Sequence, residues 1–106
     1  DLAADNLAKY DAVMLYANID NISKPHEASL LNFVSQGGGF LPVHCATFCF
    51  RNSPELIALM GAQFQKHGTG TFRTEIKEAN HPLMEGFGGF ESWDETYVHH
   101  LHNDKN

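Results

Sequence analysis

Apolar and polar positions along the chain fall into blocks whose period changes from one block to the next. Leu2, Ala3, Leu7 and Ala8 are spaced as on a helix and predict the tail of one over residues 1–9. Ala12-Val13-Met14-Leu15-Tyr16-Ala17 is a short continuous apolar run, the pattern of a strand covered on both faces. Residues 18–23 are loop chemistry. Ser23-Lys24-Pro25 then opens a helix, with Ser23 as N-cap or Pro25 at the first helical position. Leu30, Leu31, Phe33 and Val34 supply its apolar face, and Gly37, Gly38 and Gly39 stop it. Phe40-Leu41-Pro42-Val43 is the next strand. Strand, helix, strand at this spacing predicts a βαβ unit with parallel strands and a right-handed crossover. Pro42 avoids a central strand, an objection that weakens near the strand's end.

The second half of the chain is wetter. Ser53 as N-cap, Pro54 and Glu55 in the first turn and Gly61 as stop predict a short helix. Residues 63–70 read as loop, and 71–77 alternate as a strand with one wet face. Residues 80–86 predict a turn with about one helical turn, broken by Gly88-Gly89, and 90–100 a further strand or extended segment. No repeat and no internal boundary is visible, so 1–106 reads as a single domain. Its start in mid-pattern and its polar end read as an excerpt of a larger one.

Composition changes this picture at three points. Apolar residues make up 42% of the 106, enough for one small core. The net charge of −6, with no basic cluster, excludes nucleic acid as the expected partner. No run approaches the roughly 20 apolar residues of a membrane span. No signal peptide is visible in this stretch, which leaves the compartment undecided between cytoplasm and periplasm. Seven histidines are the anomaly, and five of them, His67, His81, His99, His100 and His102, lie in the last 40 residues.

The candidate chemistry starts at GGGFLPVHCA, residues 37–46. Ligands of parallel α/β sheets bind beyond the carboxyl ends of the strands, where this segment delivers His44 and Cys45. His44 suits a general base or a metal ligand, and Cys45 a nucleophile. The glycines precede the strand, so they are no phosphate loop. His67 and His81 occupy a loop and a His-Pro turn, where a solvated ring and a turn cap are the plain alternatives. In Trp93-Asp94-Glu95-Thr96-Tyr97-Val98-His99-His100, alternation puts Asp94, Thr96, Val98 and His100 on one face and Glu95, Tyr97 and His99 on the other. Asp94 and Glu95 suit acid–base work or a divalent cation, and Trp93 and Tyr97 supply apolar walls for a sugar. A divalent metal is left open, with His44, His81 and His99 as candidate ligands; the spacings match no short zinc motif.

Four stretches together resemble the trehalose-utilisation (ThuA-like) family: GGGFLPVHCA at 37–46, RNSPELIALMGAQFQKHGTGTF at 51–72, NHPLMEGF at 80–87 and FESWDETYVH at 90–99. The resemblance implies a fold like that of class I glutamine amidotransferases, an α/β, flavodoxin-like three-layer sandwich with a central parallel sheet. It implies that these residues are a partial domain, with a strand and helix before Asp1 and closing strands after Asn106. His44 stands where the amidotransferase elbow carries its Cys, which argues against glutamine hydrolysis. The family's link to disaccharide catabolism implies a carbohydrate partner, and His44, His67, His81, Asp94 and Glu95 fall on its motif positions. The expectation is a sugar- or 3-keto-disaccharide-modifying enzyme of hydrolase or lyase type, with His44, Asp94 and Glu95 catalytic and His67, His81, Trp93 and Tyr97 around the substrate. A non-catalytic sugar-binding module and a cysteine hydrolase using Cys45 are the alternatives, and homo-oligomerisation is left open.

Overall fold

A computed structural model describes residues 1–105. They form two compact units, 1–65 with 99–105 and 66–98. The first unit contains α1 (Ala4–Leu7), β1 (Ala12–Leu15), α2 (Lys24–Ser35), β2 (Gly39–Pro42) and α3 (Pro54–Met60). β1 and β2 pair in parallel, from Ala12 opposite Gly39 to Leu15 opposite Pro42. That is the expected βαβ unit. Pro42 is the last residue of a strand paired on one side only, where its missing N–H breaks no ladder.

The core explains why these segments fold as they do. Leu30 from α2, Leu56 from α3, and Ile22, Cys49 and Phe50 from the connections are buried together. Leu15, Phe40, Phe33 and Leu59 pack against them. Each large apolar side chain so buried contributes about 1.5–3 kcal/mol against its exposed state. The chain leaves α2 through Gly37, at φ +95°, and Gly38. A Cβ on Gly38 would run into the Phe33 ring, so a side chain there would require that ring to move aside. α3 carries the caps its sequence promised. The Ser53 hydroxyl accepts from the Leu56 amide at 3.2 Å, and Gly61 ends the helix at φ +93°. Ser23 is the N-cap residue of α2, but its hydroxyl makes no capping bond. Instead Glu27, in the first turn, is buried and pairs with Lys24 at 2.7 Å.

One expectation changes here. β1 is apolar on both faces, yet only one face is covered. Val13 and Leu15, with Phe40 opposite, are half-buried, whereas Met14, Tyr16 and Leu41 are exposed. α2 packs on one side of a two-stranded sheet, and a continuous apolar run does not say which side is filled.

Most of the second unit is a ribbon of β3 (Gln63–Arg73) and β4 (Glu91–His100), paired antiparallel. Residues 63–70, expected as loop, are strand, and the strand expected over 71–77 ends at Arg73. The reason is physical. From Gln65 to Thr69 every side chain is exposed, so no apolar alternation marks the strand, and pairing with β4 supplies its ladder instead. The Thr74 amide donates to the Phe90 carbonyl at 2.9 Å, and the Phe90 amide donates to the Thr74 hydroxyl at 2.8 Å. Phe72 and Phe87 meet the Phe90 ring edge-on, each at 6.3 Å. One helical turn, Pro82–Met84, stands where it was expected. Among the described residues the fold is mixed α/β, with one parallel and one antiparallel pair of strands. Among the described residues, no helix is long and apolar enough to cross a membrane.

Candidate functional site

In the first unit, His44 follows β2 directly and opens a 3-10 turn, His44–Phe48. Its φ is +52°, in the left-handed region that a residue with a Cβ enters at a cost of about 1–3 kcal/mol. A sharp turn therefore follows β2, and His44 is the residue that bends. Its exposed ring meets the edge of Tyr16, centroids 6.2 Å apart at 81°. The Thr47 hydroxyl reaches back to the His44 carbonyl at 3.3 Å. The same hydroxyl lies 3.1 Å from His99 Nε2. Burial, with His102 adding to it, holds the His99 ring below its ordinary pKa, so it is neutral at pH 7. His102 Nε2 donates to the His99 carbonyl at 3.2 Å.

The two cysteines have different surroundings. Cys49 is buried; its Sγ donates to the Ala17 carbonyl at 3.0 Å and accepts from the Ile19 amide at 3.2 Å. Burial pushes its thiol up, making it a structural link between β1's exit and the 3-10 turn. Cys45 is half-buried and unbridged.

In the second unit, β3 and β4 bring three expected residues together. His67 Nε2 lies 3.6 Å from Glu95 Oε1. The His67 ring lies tilted at 35° to Tyr97, centroids 5.9 Å apart. His67 Nδ1 lies 3.1 Å from the Gly68 carbonyl, which can only accept. Nδ1 therefore carries the proton in the neutral ring, and the basic nitrogen is Nε2, the one beside Glu95. A Cβ on Gly68 would lie 3.2 Å from the Thr96 hydroxyl, so glycine keeps the two strands close beside this pair. Glu95, Tyr97 and His99 are half-buried, and Asp94, Thr96, Val98 and His100 exposed, which is the expected alternation along β4.

The remaining candidates have more local surroundings. Asp94 Oδ1 accepts from the Glu95 amide at 2.7 Å. Trp93 is 70% exposed. His81 Nδ1 accepts from the Leu83 amide at 3.2 Å and so caps the turn that follows it. It also lines an open cleft of about 410 Å³ with Leu83, Met84 and Phe87. Among the described residues, no group of three or more His, Cys, Asp or Glu is gathered to hold a metal ion. His44, His81 and His99 belong to no such group. Thr47 escaped the sequence reading; its one signal is its place three residues after His44, where a hydroxyl reaches back to a turn carbonyl.

Comparison with known proteins adds two findings. The family model ThuA, described as trehalose utilisation, matches residues 1–106. A crystal structure of a ThuA-like protein from Bacteroides uniformis ATCC 8492 superposes with a TM-score of 0.79 at 18% identity, covering 100% of this chain and 47% of that one. At that identity the likeness is one of fold, and this chain spans about half the length of that structure. No curated protein matches.

Proposed function

The chain belongs to the ThuA family of trehalose utilisation, and from that premise we propose that it is part of a carbohydrate-modifying domain. The proposed chemistry is acid–base work on a sugar or 3-keto-disaccharide by histidine and carboxylate. One observation carries the reading: His67 Nε2 faces Glu95 at 3.6 Å while the Tyr97 ring lies against the imidazole. His67 Nε2 and Glu95 Oε1 are both proton acceptors, so a proton held between them can pass to either side, as acid–base work requires. An aromatic plane beside it is the surface on which a sugar ring stacks. In the first unit, considered by itself, His44 on its strained turn is a separate proton-transfer candidate. Asp94, His81 and Trp93 surround the substrate. The whole domain is then a flavodoxin-like three-layer sandwich of which these residues are a part, a reading supported by the 47% coverage of the fold neighbour.

Turnover of 3-keto-disaccharides by the full-length protein tests this. His44→Ala and His67→Ala are each expected to lower kcat/KM by about 10²–10⁴-fold, the range of a positioned acid–base group. Unchanged turnover in both variants sinks the assignment. Binding without turnover in the parent protein, weakened chiefly by Trp93→Ala and Tyr97→Ala, would favour a sugar-binding module instead. Loss of turnover on alkylating Cys45 would favour a cysteine hydrolase.

A further inference from the structure

Two contacts converge on one hydroxyl beside His44. Thr47 Oγ1 is 3.3 Å from the His44 carbonyl oxygen and 3.1 Å from His99 Nε2, although Thr47 and His99 are 52 residues apart in sequence. A hydroxyl has one proton to give. The His44 carbonyl can only accept, so that contact uses the Thr47 proton. The His99 contact is then a bond only if Nε2 brings its own. The opposite arrangement, Thr47 donating to a bare Nε2, would leave two oxygens facing each other at 3.3 Å with no proton between them. Only one tautomer makes both contacts hydrogen bonds.

The geometry points to Thr47 as a positioning residue: His99 Nε2–H donates to the Thr47 hydroxyl, which donates to the His44 carbonyl and holds the left-handed turn that presents the His44 ring. The inference goes beyond the function proposed above and rests on its reading of His44 as a working side chain. The tether has a physical task. His44 sits at φ +52°, a conformation its own Cβ opposes and that persists only when the surroundings fix it. The turn is opened by the Ala46 amide bonding to the Val43 carbonyl at 3.1 Å, and the His44 carbonyl lies one residue further on. The Thr47 hydroxyl adds a side-chain bond to the His44 carbonyl. His99 comes from β4, so the chain's last strand sets the geometry of the turn after β2. Burial of His99 keeps the ring neutral, and a neutral ring has the single N–H the arrangement needs.

The test is NMR of the full chain with 15N-labelled histidine, with no substrate present. His99 is expected to show Nε2 in the pyrrole-type range and Nδ1 in the pyridine-type range. The reverse pattern overturns the proposal, whatever happens to any variant. Thr47→Val, which keeps the shape and removes the hydroxyl, is expected to move the imidazole signals of His99 and the backbone coupling of His44 that reports φ. Thr47→Ser is expected to restore both. A Val variant with both sets of signals unchanged also overturns it. Should Thr47→Val fail to fold, the parent's tautomer and the Ser variant still decide. In turnover, Thr47→Val is expected to lower kcat by up to about 100-fold with KM little changed, the signature of a misplaced group. The failure modes separate. His44→Ala retaining activity removes the functional reading of His44 but leaves the tautomer and the tether to be read directly.

Discussion

The two units support their candidate side chains in opposite ways. In the first, His44 opens a turn whose following residues, Cys49 and Phe50, are buried in the core, and Thr47 bonds both the His44 carbonyl and His99. Its backbone is strained and its surroundings are packed. In the second, His67 and Glu95 stand on a two-stranded ribbon whose backbone is relaxed and whose side chains are largely wet. There the geometry comes from strand pairing, a glycine that permits close approach, and one ring tilted against another. Packing can hold a residue in an unfavourable conformation, whereas a ribbon holds only what the ladder itself aligns.

The sharpest way to break this contrast is to remove side-chain volume from each unit. Leu30 has no exposed surface, and Leu30→Ala is expected to cost about 2–5 kcal/mol in the full-length protein. Phe72, half-buried on the ribbon, is expected to cost about 1 kcal/mol on the same change. Chemical denaturation measures both, and equal losses would erase the distinction. A smaller effect sharpens it. Gly61→Ala forces a Cβ into a backbone at φ +93° and is expected to cost about 1 kcal/mol, read as a lower denaturation midpoint with an unchanged slope.

The smallest effect is electrostatic. The Lys24 ammonium, bonded to Glu27 at 2.7 Å, holds that carboxyl below its ordinary value, and the Ser53 hydroxyl adds to this. The folded pKa is lowered, so the pairing stabilises the fold above the ordinary carboxylate value of 4.5. That contribution fades as pH falls through the folded value. Glu27→Gln is therefore expected to lower Tm at pH 7 and to flatten the decline of Tm between about pH 5 and 3. A variant whose Tm falls with acid as steeply as the parent's would contradict the assignment.

What could be read from the chain follows the same division. The βαβ unit was legible because its apolar runs are bounded by Ser23, Pro25 and Gly37, each of which marks a boundary. His44 was legible because position alone puts a strand-end residue beside a crevice. The extent of β3 was not, because Gln65 to Thr69 are all exposed and carry no alternation of apolar and polar residues. The covered face of β1 was not, because an apolar run carries no direction. The face of β4 bearing Glu95, Tyr97 and His99 followed from alternation. That His67 meets Glu95 did not, since register between strands is written in neither strand alone. Thr47 and His99 were beyond reach for a similar reason: their contact joins residues 52 positions apart.

The proposed acid–base pair is tested most directly by kcat/KM of Glu95→Gln against the parent on a 3-keto-disaccharide, in the full-length protein near neutral pH. The exchange keeps the shape of the side chain and removes its charge and proton-transfer capacity. A fall of about 10²-fold or more, with Tm little changed, is the expected result. An active parent with Glu95→Gln at full kcat/KM would contradict it.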